Sequence, residues 1–180
     1  MDFCKINMDL LKVKDVDLYH LMNQFILKEE KYKKELTHSK VYTLKISEYD
    51  YTRKKHVDFY LHSKYDPVRE AEKFAKGQYS LEKEKIIIFG FGLGYHVEAI
   101  FNLLKDHQKL YIFEMNLNVF KSALECRNLS NILSSDRVHL IISDHETQQA
   151  LHLGNLLKED AHLIIHPPSL KTIPKNSEKI

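Results

Sequence analysis

The chain has 180 residues, 43% hydrophobic and 29% charged, with 27 basic against 25 acidic side chains for a net charge of +2. That is enough for one ordinary globular core, and it leaves no strong positive field for nucleic acid. Two cysteines, Cys4 and Cys126, make neither a metal-ligand spacing nor a disulfide framework, so a reducing, cytoplasmic setting is expected.

The start, MDFCKINMDLLKVKDVD, is broken by charges and lacks an apolar signal core. The longest apolar run, Ile86 to Tyr95, is far too short to span a bilayer, and no membrane partner is expected. From Asp15 to Leu36 the apolar positions Val16, Tyr19, Met22 and Ile26 recur at helical spacing. This predicts one helix whose charged tail, KEEKYKKEL, continues into solvent. VYTLKIS (41–47) and HVDFYLHS (56–63) read as two strands of a hairpin. Ten Tyr and nine Phe fit such hairpin and core positions better than a base-stacking surface. YDPVREAEKFAKG reads as a helix with Asp66 at the N-cap, Pro67 in the first turn and Gly77 beyond the end.

From Lys85 the rhythm changes to strand, turn, helix, repeated. KIIIF, KLYIF, RVHLII and HLII are four short apolar strands. Helices are predicted at about 95–104 and 117–126 and over ETQQALHLGNLL, with a short helical turn at NLSNIL. Apolar runs of this kind between helices mark a parallel sheet covered on both faces. The expected fold is therefore α/β: a Rossmann-like, methyltransferase-like parallel sheet of order 3-2-1-4, preceded by an N-terminal helix and β-hairpin. The expected divisions are 1–80 for the helix, hairpin and connecting helix, 81–170 for the Rossmann-like domain, and 171–180 for a linker-like tail.

Three of the five glycines, Gly90, Gly92 and Gly94, fall in IIIFGFGLGYH, directly after the first of these strands. Glycine there admits positive φ and close approach of a ligand, and the helix that follows presents unpaired N–H groups. Glu114 closes the second strand, twenty residues after Gly94, where Rossmann-type proteins place the acid for ribose hydroxyls. Asp144 closes the third strand and could accept from an adenine amine; His166 closes the fourth. Right-handed crossovers put all of these strand ends at one edge. The candidate binding residues are thus Gly90, Gly92, Gly94, Tyr95, His96, Glu114, Asp144 and His166, with a nucleotide, a nucleotide-sugar or S-adenosylmethionine as candidate ligands. The alternative is a glycine-tightened turn with solvated acids at the strand ends.

The details divide the candidates. Tyr95 stands where the dinucleotide fingerprint needs its third glycine and would crowd a pyrophosphate. G-x-G-x-G with an acid at the next strand end suits S-adenosylmethionine, but Ile88 occupies the position of the usual preceding acid. HPPS (166–169) sits where amino-methyltransferases carry an Asp/Asn-Pro-Pro-aromatic motif, and His166 and Ser169 supply neither amine acceptor nor stacking ring. Tyr95 and His96 either meet a base or phosphate, or serve structurally, with Tyr95 capping the turn and His96 bonding the Ser63–Asp66 segment. Asp66, Arg69 and Glu70 likewise divide between a functional role and a helix cap with a surface ion pair. His162 and His166 lie roughly 13 Å apart along a strand, too far to share one zinc, so no metal site is expected. No nucleophile elbow or Walker lysine is present.

Three segments, LHSKYDPVREAEKFA (61–75), IIIFGFGLGYHVEAI (86–100) and LYIFEMNLNVFKSAL (110–124), together resemble the N-terminal domain of the motility accessory factor (Maf) glycosyltransferases, which are related to MptE-like pterin pyrophosphokinases. The match runs through Ser63, Tyr65, Asp66, Pro67, Glu70 and Ala71, then Gly90, Gly92, Gly94, Tyr95 and His96, then Glu114; IIHPPSLKTIP resembles the segment that closes the domain. The resemblance implies transfer of a nonulosonic acid from a CMP-activated donor to flagellin, carried out by a following central domain that opens with a Gly-Pro-Ser segment. That segment is absent here. The chain is therefore expected to be a truncated or stand-alone N-terminal module, with flagellin or a following catalytic domain as partner, and to transfer no sugar alone. The rival readings are an S-adenosylmethionine-dependent methyltransferase and a non-catalytic scaffold that recruits flagellin or a second subunit.

Overall fold

The computed structural model describes residues 2–50 and 52–173. The linker-like reading of 171–180 lies largely outside the described residues. The order of elements is α1 (Phe3–Lys14), α2 (Val16–Gln24), β1 (Tyr32–Leu36), β2 (Tyr42–Asp50), β3 (Lys55–Tyr60), α3 (Pro67–Gln78), β4 (Lys85–Phe89), α4 (Tyr95–Phe101), β5 (Lys109–Glu114), α5 (Leu117–Cys126), α6 (Ser130–Leu133), β6 (Val138–Ile142), α7 (Glu146–Leu156), β7 (Ala161–Ile165) and α8 (Pro167–Leu170).

The N-terminal region departs from the sequence expectation in two ways. A helix, α1, precedes the expected one, and Asp15 separates it from α2. Asp15 takes an extended conformation, ends α1, and accepts a hydrogen bond from the Leu18 N–H at the start of α2. The charged tail then forms strand β1 instead of more helix. It pairs antiparallel with β2, Tyr32 opposite Ile46 and Leu36 opposite Tyr42, so the hairpin becomes a three-stranded sheet of order β1-β2-β3. The lysines and glutamates that favour helix also suit an edge strand: Lys31 pairs with Glu48 and Lys34 with Glu125, while Tyr32 turns inward and is buried. Ladder and burial together override local propensity.

The second sheet has four parallel strands in the order β6-β5-β4-β7, the four strands read from the sequence. Side chains alternate between two buried faces. Ile86, Ile88, Leu110 and Ile112 join the main core with Phe91, Val97 and Phe120. Ile87 and Phe113 pack on the opposite face with Leu156 of α7. Each isoleucine of β4 is fully buried and contributes about 1.5–3 kcal/mol relative to an exposed position. The main core also takes in Met8, Leu11 and Met22 from α1 and α2, and Leu44 and Ile46 from β2. α3 begins as the sequence indicates, with Asp66 accepting from the Arg69 N–H and Pro67 in the first turn.

Candidate functional site

The parallel register brings Gly90, Glu114 and His166 to one edge of the sheet, with the His166 N–H donating to the Phe89 carbonyl and the Gly90 N–H to the Phe113 carbonyl. All three glycines of the turn have positive φ: 98° at Gly90, 55° at Gly92 and 81° at Gly94. What comes close to them is the protein itself. A Cβ at Gly90 would lie 2.3 Å from the Ser169 Cβ, one at Gly92 2.7 Å from the His62 Nε2, and one at Gly94 3.0 Å from the Leu129 Cδ2. The space a ligand would need at the first two is filled by side chains from α8 and from the segment after β3.

The N–H groups of the turn are engaged in the same way. Glu114 is buried, and its Oε2 accepts from the Phe91 and Gly92 N–H groups at 2.8 and 3.3 Å. Its Oε1 accepts from the Asn116 N–H at 2.8 Å. The Leu93 N–H donates to His62 Nε2 at 2.9 Å, and the Gly94 N–H to the Phe91 carbonyl. Four consecutive amides that could cradle a phosphate are therefore satisfied internally. Glu114, expected to take ribose hydroxyls, instead ties the turn shut. Burial pushes its carboxyl up to about 7, against the pull of the backbone N–H groups.

His62, His96 and His166 lie together over this turn, all buried. The His96 ring stacks on His166 at 3.9 Å between centroids, and His62 stacks on His166 at 5.1 Å. The Gly90 carbonyl accepts from His96 Nε2 at 2.7 Å, which leaves Nδ1 as the lone-pair nitrogen, buried and without a partner. His166 Nδ1 lies 2.7 Å from the Ser169 hydroxyl. Burial holds all three rings below the usual imidazole range, His96 at about 4. His96 thus bonds Gly90 and not the Ser63–Asp66 segment. It is His62 that approaches that segment, with Nδ1 3.9 Å from the Glu70 carboxylate, which itself accepts from the Ser63 N–H.

The remaining sequence candidates separate from this cluster. Tyr95 turns toward the three-stranded sheet: its hydroxyl donates to the Tyr42 carbonyl at 2.6 Å, and the Arg127 guanidinium lies 3.9 Å from its ring centroid. Burial pushes its phenol up to about 12. Asp144 stays exposed beyond β6 and does not reach the histidines. In its place Gln149 of α7 ties the strand ends, its Nε2 donating to the carbonyls of Glu114, Ile141 and Ser143. A cleft of about 460 Å³ lies elsewhere, bordered by Lys40, Tyr42, Tyr95, Glu98, Arg127 and Asn131, and of the sequence candidates only Tyr95 lines it.

The sequence argument against a metal site did not foresee this histidine cluster. It weighed His162 against His166, two residues of one strand, whereas the fold brings in His62 and His96 from other elements. His62 and Ser169 carry no motif of their own; the glycines opposite them were the signal, since a turn with room for no Cβ must face something close.

A two-sheet α/β module with a closed glycine turn at its strand ends, and no helix among the described residues long and apolar enough to cross a membrane, is the class defined here. The family model described as the glycosyltransferase Maf N-terminal domain matches residues 5–167, and the chain belongs to that family. A solved structure, that of the MAf glycosyltransferase from Magnetospirillum magneticum AMB-1, is similar in fold, with a TM-score of 0.66 and 11% identity over 95% of this chain. The chain spans 33% of that protein's length. No curated protein matches it at a significant level.

Proposed function

We propose that this chain is a structural, non-catalytic N-terminal module of a Maf-type glycosyltransferase, working with a following domain that transfers a nonulosonic acid from a CMP-activated donor to flagellin. The observation that carries this reading is the occupation of the turn: Glu114 and His62 take the Phe91, Gly92 and Leu93 N–H groups that a nucleotide phosphate would need. A nucleotide at this edge would have to displace a buried carboxylate and a buried ring, each at a cost of about 1–3 kcal/mol for unpaired groups. Transfer further requires a base held within reach of the acceptor hydroxyl. His166, the imidazole at these strand ends, is buried under His96 and bonded to Ser169.

The test is calorimetry of the purified chain with CMP, CDP and S-adenosylmethionine, alongside incubation with CMP-pseudaminic or CMP-legionaminic acid and flagellin. No heat of binding and an unchanged flagellin mass are expected. Micromolar binding of CMP would restore the nucleotide site, such binding of S-adenosylmethionine the methyltransferase reading, and a flagellin mass gain of one sugar would place catalysis in this chain.

A further inference from the structure

We propose that His62, His96 and His166 form a binding site for a divalent transition-metal ion of the zinc class, which pins the segment after β3, the start of α4 and the end of β7 to one another. One ring nitrogen from each lies within 4.8 Å of one from each of the others. Proximity alone would be ordinary aromatic packing; the hydrogen bonds add direction. Metal-bound histidines typically donate their other ring N–H to a carbonyl, carboxylate or hydroxyl, which fixes the tautomer. His96 does this, giving its Nε2–H to the Gly90 carbonyl and leaving Nδ1 a buried lone pair with no partner. His166 has the matching arrangement when its Nδ1–H donates to Ser169, which frees Nε2.

An orphaned imidazole nitrogen in the protein interior costs free energy that a metal would return. Three neutral nitrogens suit zinc, cobalt, nickel or copper, not calcium or magnesium.

All three rings have to turn. His96 and His166 stack with only 13° between their planes, so their in-plane lone pairs must fan toward one ion. His62 must also give up a hydrogen bond. Its Nε2 accepts from the Leu93 N–H, so the proton sits on Nδ1, 3.9 Å from Glu70. Ligation through Nε2 requires a turn of this ring that releases the Leu93 N–H, while the Nδ1–H stays on the side of the Glu70 carboxylate. At zinc–nitrogen distances of about 2.0–2.1 Å the nitrogens of a tetrahedral site stand roughly 3.4 Å apart, so a set that spans at most 4.8 Å closes by up to about 1.4 Å on loading. The fourth position falls to water.

The experiment uses the untagged full chain, stripped with chelator and titrated with Co²⁺ and Zn²⁺, with X-ray absorption on the zinc-loaded wild type. One metal per chain, raised melting temperature and nearest-neighbour scattering from two or three imidazoles are expected. His96→Ala and His166→Ala should each abolish uptake, Ser169→Ala should weaken it about 10–100-fold, and exposed His107→Ala should leave it unchanged. Failure of the wild type to take up either ion would overturn the proposal, as would oxygen-only scattering. Folded His96→Ala or His166→Ala variants that bind like wild type would do the same. Should those variants not fold, the wild-type absorption spectrum alone decides.

Discussion

At the residue scale, Glu114 and His62 hold the glycine turn shut by taking the Phe91, Gly92 and Leu93 N–H groups. Periodicity places Gly90, Gly92 and Gly94 at a strand end and says that something must come near. It cannot say that the visitor is His62, whose imidazole arrives from 31 residues before Leu93. Gly90 is the tightest position, with Ser169 in the way and φ of 98°. Gly90→Ala is expected to destabilise by about 2–4 kcal/mol, from left-handed strain plus overpacking. Ser169→Gly in the same chain should recover the overpacking share, leaving the strain, in a double-mutant cycle of urea melts. No recovery would mean that Ser169 is not the obstacle. Glu114 gives a pH test. Its folded pKa, about 7, stands above the ordinary 4.5, so its contribution is fully present below pH 4.5 and is lost as pH rises through 7. The stability advantage of wild type over Glu114→Gln should therefore shrink between pH 5 and 7.5, by on the order of 3 kcal/mol at most. An advantage that rises up to about pH 4.5 and then stays level from 5 to 7.5 would show that the three N–H donors outweigh burial and hold the carboxyl below 4.5.

At the scale of elements, strands with uninterrupted apolar runs were readable because both of their faces are buried; β4 to β7 belong to this class. β1 was not, because an edge strand on the small sheet needs only one inward residue, and Tyr-Lys-Lys-Glu-Leu carries lysines that a helix would also tolerate. Tyr32 is that inward residue. Its ring is buried and its hydroxyl accepts from Asn116 Nδ2, joining β1 to the cap of α5. Tyr32→Phe should cost about 1 kcal/mol, the net of one hydrogen bond, and Tyr32→Ala about 3–5 kcal/mol. Amide exchange offers the sharper readout: Tyr32→Ala should deprotect 32–36 while β4 keeps its protection. Equal loss in both would mean that β1 has no separate stability.

At the scale of the whole molecule, the change of rhythm at Lys85 suggests two units divided near residue 80, but the packing runs across that line. One core contains Leu11, Met22, Leu44 and Ile46 from before it and Ile86, Ile112 and Phe120 from after it. Arg127 adds a second tie. It lies over the Tyr95 ring, pairs with Glu98 and donates to the Leu93 carbonyl, while Tyr95 bonds the Tyr42 backbone in the small sheet. Residues before the boundary also complete the glycine turn, since His62 closes it. A fragment starting at 81 would expose that core face and leave the Leu93 N–H unpaired. The chain is accordingly expected to unfold in one cooperative step, with far-UV circular dichroism and tyrosine fluorescence melting together. Arg127→Ala should lower that single transition by about 1–3 kcal/mol without splitting it, and Arg127→Lys should not restore it, because a lysine cannot stack flat on Tyr95 while holding Glu98. Two resolved transitions in the wild type, one following the helices and strands before residue 80, would mean that the core is two cores in contact and that the boundary at Lys85 is a real domain edge.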